Sequence, residues 1–101
     1  MGSLQGVLRE EYQRLKSLEK RYLREIKKLP QGSLQQKHIK KAVYPYWVSS
    51  HRSKVRCCYV GNFSEEKLGR LREQLALRKK YRGLLKELRE NKRQIEKIIH
   101  D

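Results

Sequence analysis

The sequence lacks several features that mark membrane-spanning and nucleotide-binding proteins. It has no run of about 18 apolar residues, the length that a membrane-spanning helix needs. Its six glycines form no Gly-rich loop followed by Gly-Lys-Ser or Gly-Lys-Thr, which excludes a P-loop. Charged Arg9 and Glu10 come too early for a secretory signal, and Gly6 stands where a myristoylation motif needs Ser or Thr. We therefore expect a soluble, cytoplasmic protein with no membrane association, nucleoid-associated if it binds DNA.

Cysteine is scarce too, and the two thiols give little support to metal or disulfide chemistry. Cys57 and Cys58 are adjacent, so on a strand their side chains would point to opposite faces and a disulfide between them would be strained. We interpret them as small, partly buried, reduced thiols. The other zinc-ligand candidates, His38, His51 and His100, lack zinc-finger spacing. We predict no metal and no cofactor.

Catalytic residue patterns are equally weak. All 11 acidic residues lie outside residues 30–63, mostly beside Lys or Arg at helical spacing, which is typical of solvated ion pairs. His51 with Cys57 or Cys58 would supply a base and a thiolate, but a small sheet carried on helical arms offers little to orient them. We predict that the protein is not an enzyme.

Positive charge is what the sequence has in excess. The 101 residues include 26 Lys and Arg against 11 Asp and Glu, a net charge of +15. Such a charge favours polyanionic partners, above all nucleic acid. Only 37% of the residues are hydrophobic, too few for a large core in so short a chain. We therefore expect a homo-oligomer, most simply a homodimer.

Two long segments have the apolar spacing of helices. In residues 1–29 and again in residues 64–101, apolar residues recur mostly at steps of three and four. Ser64 is a good N-cap for the second helix, whose heptad seam is interrupted by Arg78 and Lys92. We predict that the two helices pair as an antiparallel, coiled-coil-like hairpin.

The segment between the helices predicts three short strands. Residues 34–41 are polar enough for an edge strand. Residues 42–49 are rich in aromatic and β-branched residues, and Pro45 favours an edge or bulged position. Residues 54–60 are predicted to form the third strand, after a polar loop of four residues, 50–53. With that loop, Trp47 and Val55, or residues next to them, would pair across the two strands.

The chain as a whole is thus predicted to be a single α+β domain, residues 1–101. It would comprise helix 1 (1–29), a basic, aromatic, three-stranded antiparallel β-meander (30–63) and helix 2 (64–101).

The meander is the best candidate for a binding site, because it holds six basic residues and no acidic one. These residues, which we predict to contact phosphates or to place a hairpin in a groove, are Lys37, Lys40, Lys41, Arg52, Lys54 and Arg56. Exposed Tyr44, Tyr46 or Trp47 would stack on unpaired bases. A small sheet also needs rings for its own core, so we expect at least three of the meander's five aromatic side chains to be buried; they are Tyr44, Tyr46, Trp47, Tyr59 and Phe63.

A second basic row follows one side of helix 2. Its members, spaced mostly by three and four, are Arg78, Lys79, Arg82, Lys86, Arg89 and Arg93. The row is either the solvated flank of a coiled coil or a phosphate-tracking ridge continuous with the sheet.

Short motifs in the chain suggest a family. Gly32-Ser33-Leu34, then Tyr44-Pro45-Tyr46-Trp47, then Lys54-Val55-Arg56 with Tyr59-Val60-Gly61 precede a long charged helix. This order resembles that of small uncharacterised prokaryotic proteins, a domain of unknown function, over about residues 30–100. The resemblance implies a helix, meander, helix architecture and no particular activity. Some members carry extra cysteines ahead of the tyrosine strand, and their absence here counts against a metal-dependent role.

Two functions fit these observations. The first is a nucleic-acid-binding protein that contacts DNA or RNA through the basic sheet and the helix flank. The alternative is a protein-interaction or regulatory module whose basic sheet docks on an acidic surface of a partner, for example one that handles nucleic acid. No recognition-helix, zinc-finger or RNP motif predicts sequence specificity.

Overall fold

The computed structural model describes residues 3–99, with the side chain of His51 left out. In chain order the elements are helix α1 (Leu4–Lys28), strands β1 (Ser33–Ile39), β2 (Ala42–His51) and β3 (Lys54–Tyr59), and helix α2 (Glu65–Ile99). The α+β class and the order helix, meander, helix are as the sequence predicted. Within residues 3–99 no helix is long and apolar enough to cross a membrane.

The N-terminus of α2 is capped as its sequence predicts. The Lys67 amide donates a 3.1 Å hydrogen bond to Ser64 Oγ, and the Leu68 amide donates one of 3.0 Å to the Ser64 carbonyl. Glu65 and Glu66 occupy the first turn, where negative charge interacts favourably with the helix dipole. The prediction of a helix start at this point is confirmed.

The sheet is antiparallel with the strand order β1-β2-β3, so β1 is an edge strand as predicted. The turns differ from the prediction. The first strand ends at Ile39 rather than residue 41, and residues 40–41 make a two-residue turn. The prediction of a four-residue loop at 50–53 is also wrong, because residues 50 and 51 pair with 55 and 54 and residues 52–53 form the turn. Trp47 therefore lies opposite Cys58 and not Val55.

Pro45 lies in the central strand, so its assignment to an edge or bulge was wrong. Its carbonyl accepts a 3.1 Å hydrogen bond from the Val60 amide. Because the N and O atoms of a strand residue point to the same side, the proline nitrogen faces the end of β3 and no hydrogen bond to β1 is lost. The Val60 carbonyl, the acceptor that an amide at residue 45 would have used, instead accepts from the Phe63 amide at 3.1 Å.

Gly32 brings the chain into β1 by a route that only glycine permits. Its φ is +151°, outside the range that L side chains favour. A Cβ at this position would lie 2.5 Å from the Val48 carbonyl oxygen and 2.7 Å from the Trp47 ring. The close approach of the backbone to Trp47 therefore excludes any larger residue.

The chain divides into two compact units. One unit comprises the described parts of Met1–Lys28 and Arg78–Asp101, and the other comprises Leu29–Leu77. The sheet therefore belongs with the first part of α2, a division that the sequence did not predict.

In the helical unit, side chains of α1 contact side chains of α2 at three levels. Tyr12 donates a hydrogen bond to Glu96. Glu19 pairs with Arg89 at 3.0 Å and with Lys92 at 3.1 Å. Tyr22 and Tyr81 pack with ring centroids 5.7 Å apart. The buried hydrophobic side chains of this unit, among the residues described, are Leu15, Leu85 and Leu88.

Replacing buried Leu88 tests this packing. Leu88→Gln is expected to lower the free energy of unfolding by at least about 2 kcal/mol, since it removes buried apolar volume and buries an amide. The matched control is Leu77→Gln on the same helix, where the leucine is 42% exposed and the cost should stay near about 0.5 kcal/mol. Thermal and urea unfolding followed by circular dichroism would measure both. Equal effects of the two substitutions would contradict the assignment of Leu88 to the core.

The ion pairs of Glu19 with Arg89 and Lys92 make the stability of the fold depend on pH. Hydrogen bonds from Arg89 and Lys92 hold the pKa of Glu19 below its ordinary value of 4.5. Its ionised form therefore stabilises the fold above pH 4.5, and this contribution disappears as the pH falls through the lower folded-state pKa. Glu19→Gln should cost up to about 1 kcal/mol at neutral pH, and the difference from wild type should shrink towards acid pH.

Urea unfolding at several pH values would measure this difference. Glu25→Gln is the control, because within residues 3–99 Glu25 pairs with Lys28 on its own helix and with no residue of α2. A Glu19→Gln cost that does not change with pH would show that its charge contributes nothing.

Candidate nucleic-acid interface

The register of the sheet sorts its side chains onto two faces. Paired residues share a face and successive residues alternate, so each face is named here for its aromatic residues. The Trp47 face carries residues 34, 36 and 38 of β1, the odd residues 43–49 of β2, and residues 54, 56 and 58 of β3. The tyrosine face carries residues 33, 35, 37 and 39, the even residues 42–50, and residues 55, 57 and 59.

The tyrosine face holds a cluster of three rings, Tyr44, Tyr46 and Tyr59. Tyr59 is the centre, with ring centroids 6.2 Å from Tyr44 and 5.6 Å from Tyr46, both at tilted angles. These are the separations and orientations that aromatic pairs favour. Tyr46 is half-buried, while Tyr44 and Tyr59 stay 36% and 47% exposed.

Lys37 brings a cation onto the same face. Its Nζ lies 4.8 Å from the centroid of the Tyr46 ring, a cation–π contact. It also lies 3.5 Å from Cys57 Sγ. Lys37 therefore reaches from β1 across β2 towards β3, and an ammonium group lies beside the rings.

The expectation that at least three of the five meander aromatics are buried was wrong. Trp47 and Phe63 are half-buried, as is Tyr46, and none of the five is fully buried. Among the side chains that the structure describes, Val60 is the fully buried one of this unit, at 1% exposure. Both cysteines are also exposed and free, so the prediction of partly buried thiols was wrong. Within residues 3–99, no three His, Cys, Asp or Glu side chains come together as a metal site would require.

The turns place basic residues at both ends of the sheet. Lys40 has φ +58° in the first turn, and Arg52 and Ser53 have φ +50° and +66° in the second. Left-handed dihedrals match the twist of a two-residue hairpin but favour Gly or Asn. Each turn therefore carries an exposed cation in a conformation that costs about 1 kcal/mol or more for an ordinary side chain.

The remaining sheet cations lie at different positions around these turns. Lys41 is exposed in the first turn beside Lys40. Lys54 and Arg56 are exposed on the Trp47 face of β3, near the second turn. Lys37 and Tyr46 share the tyrosine face. The predicted site residues of the meander thus surround the sheet rather than cover one face of it.

Carboxylates neutralise cations in the helices and not in the sheet. Among the residues described, the ion pairs all lie within or between α1 and α2, for example Arg14–Glu11 and Arg70–Glu66. Residues 30–63 contain no carboxylate side chain. The six sheet cations are therefore available to an external anion without first breaking an ion pair.

The predicted flank of α2 is less uniform. Arg89 is paired with Glu19 and Arg93 with Glu90. Arg78 has its Nε buried and without a hydrogen-bond partner among the described residues. The flank residues that remain exposed and outside these ion pairs are Lys79, Arg82 and Lys86.

Sequence reasoning did not single out Tyr59 as part of the site. Its alternation with Val55 and Cys57 was visible, but only the two-residue turn 52–53 sets the register that places it opposite Tyr46.

The chain was compared with protein-family models, curated proteins and solved structures, and none of them matches it. The family resemblance drawn from the short motifs therefore stays a prediction.

Proposed function

We propose that this chain is a non-enzymatic nucleic-acid-binding protein whose basic sheet contacts backbone phosphates. The observation that supports it best is the combination of six cations and no carboxylate in residues 30–63. Each phosphate contact by Lys or Arg releases counterions from the nucleic acid, which drives binding largely independent of sequence. The exposed cations of the sheet meet this requirement without a competing internal anion.

The backbone conformation of the turns supports the same proposal. Unfavourable dihedrals persist where a side chain has a role that outweighs their cost. Lys40 and Arg52 occupy left-handed positions in which Gly or Asn would be more stable. A Lys or Arg at each hairpin tip lowers the stability of the sheet, and it places a cation where it contacts an anion.

The length of the sheet favours a polymeric ligand. The two turns lie at opposite ends of β2, which has 10 residues and so spans about 30 Å. A ligand that touches both tips must extend over a similar distance. A nucleic-acid strand does so, whereas a mononucleotide does not.

The helices are proposed to pair as an antiparallel, coiled-coil-like hairpin that forms a homodimer. The contacts of Tyr12 with Glu96 and of Tyr22 with Tyr81 run in opposite order along α1 and α2, in support of the antiparallel pairing. Exposed apolar side chains at Leu4 and Ile98 support self-association. The exposed part of the α2 flank is proposed as a secondary phosphate contact.

An acidic protein surface is the second candidate partner. Val55 is 68% exposed on the tyrosine face and Ile39 is also exposed. A protein would cover these aliphatic side chains, whereas phosphates would not. Such a partner would still use the cations of the sheet.

Removing two sheet cations tests the phosphate contacts. Lys54→Ala with Arg56→Ala should weaken binding about equally for all sequences and reduce the slope of log affinity against log salt by about two. Fluorescence-anisotropy titrations of labelled DNA and RNA at several salt concentrations would measure both quantities.

The matched control is Lys20→Ala with Arg24→Ala, which removes the same charge from exposed positions on α1. It should change affinity much less. Equal losses for the two variants would show that net charge alone, and not the sheet, determines binding.

The second turn offers a test in which stability and affinity change in opposite directions. Arg52→Asn should raise the melting temperature, because Asn tolerates the left-handed conformation, and should lower affinity for nucleic acid. Ser53→Gly relieves the same turn without loss of charge, so it should raise the melting temperature and leave affinity unchanged. Thermal unfolding and the same titrations provide the readouts. Unchanged affinity in Arg52→Asn would remove this tip from the interface.

A further inference from the structure

We infer that the tyrosine cluster, Tyr44, Tyr46 and Tyr59, stacks on unpaired bases, so that the ligand is single-stranded nucleic acid. This inference rests on the proposed function and names its substrate class. Phosphate contacts alone do not distinguish single strands from duplexes. The open rings of the sheet provide that distinction.

The geometry of the cluster suits stacking. Tyr44 and Tyr59 remain exposed on the open face, and their centroids lie 5.6–6.2 Å from neighbouring rings, packing that we expect to restrict their rotamers. Rigid exposed rings bind bases at a low entropic cost, and base stacking is tolerant of sequence because every base has a π-face. Bases inside a duplex are already stacked and do not reach such a surface.

Gly61 fixes the position of the central ring. A Cβ at residue 61 would lie within 3 Å of three atoms of the Tyr59 phenol group, two of them in the ring itself. The Tyr59 side chain thus lies against the backbone at residue 61, where only glycine leaves room. The glycine after β3 therefore holds the ring beside Tyr46.

Charge selects the occupant of this face. Lys37 stands beside Tyr46, Lys40 and Lys41 lie in the turn that joins β1 to β2, and residues 30–63 have no carboxylate. A second copy of the same face would bring these cations together, which is unfavourable. A polyanion with exposed aromatic groups complements both the charge and the rings, and single-stranded nucleic acid is such a polymer.

The decisive experiment uses the wild-type chain with three labelled ligands in anisotropy titrations at about 0.15 M salt. They are an oligothymidylate of about 20 nucleotides, long enough for more than one site, an abasic oligonucleotide of equal length, and a duplex of equal length. The abasic strand keeps the phosphates and lacks the bases. We expect the oligothymidylate to bind about tenfold or more tighter than the abasic strand.

Variants then locate the effect. Tyr44→Leu with Tyr59→Leu should abolish the preference for bases, whereas Tyr44→Phe with Tyr59→Phe should keep it, because only the phenyl variants retain the rings. Val43→Ala is the control on the Trp47 face, where Val43 is 47% exposed, and it should leave the preference unchanged. Gly61→Ala should reduce the preference by displacing Tyr59. Circular dichroism of each variant establishes that the sheet is intact.

The outcomes separate the two proposals. Equal affinity of the wild-type chain for the oligothymidylate and the abasic strand would overturn the stacking inference and leave phosphate binding in place. Tighter binding of the duplex than of the oligothymidylate would also overturn it. Failure to bind any of the three ligands would overturn the proposed function itself and direct the search to acidic proteins.

Discussion

Two tight turns determine most of what the sheet presents to a ligand. With two residues each at 40–41 and 52–53, they fix the pairing of all three strands. Since side chains alternate between the two faces, a slip of one residue between β1 and β2 would place Lys37 on the other face of the sheet, away from the Tyr44 ring. A slip between β2 and β3 would separate Tyr59 from Tyr46. A one-residue slip at either turn would thus separate the cation from the rings or the rings from each other, so the conformation of the turns, strained at Lys40 and Arg52, determines the composition of the candidate site.

The carboxylates are distributed unevenly, so that, among the residues described, cations are paired with carboxylates in the helices and not in the sheet. In the helices, the one carboxylate of Glu19 pairs with both Arg89 and Lys92. Further ion pairs join residues of the same helix. In the sheet, the cations occupy three separate places: two are at one tip, three are near the other, and Lys37 lies over a ring. Separation limits their mutual repulsion, which falls with distance and with screening by salt. An anionic strand along the sheet would relieve the repulsion that remains.

Helix limits and strand positions were predictable because local chemistry dictates them. Pro30 lies just beyond the end of α1, and Ser64 with two glutamates begins α2. The turns were not predictable in the same way, because Lys-Lys and Arg-Ser are not the residues that two-residue hairpins favour. Missing the first turn lengthened β1 in the prediction, and missing the second gave a four-residue loop and left the pairing of Tyr59 with Tyr46 unrecognised. The burial of the aromatics was mispredicted for another reason: a small sheet need not use its rings as its core, and among the side chains described here the fully buried one is Val60.

The openness of the tyrosine face also bears on stability. Sheets are normally stabilised by a second layer over each apolar face, and here Val55 and Tyr59 are both largely exposed. The ring contacts of Tyr59 with Tyr44 and Tyr46 give only part of the stabilisation that such a layer would supply. A base stacked on these rings would act as the missing layer, and a ligand that binds only the folded form raises its stability in proportion to the logarithm of its concentration. If the proposed stacking holds, recognition and folding of this sheet are coupled through the same three side chains, because the surface that lacks a covering layer is the proposed binding surface.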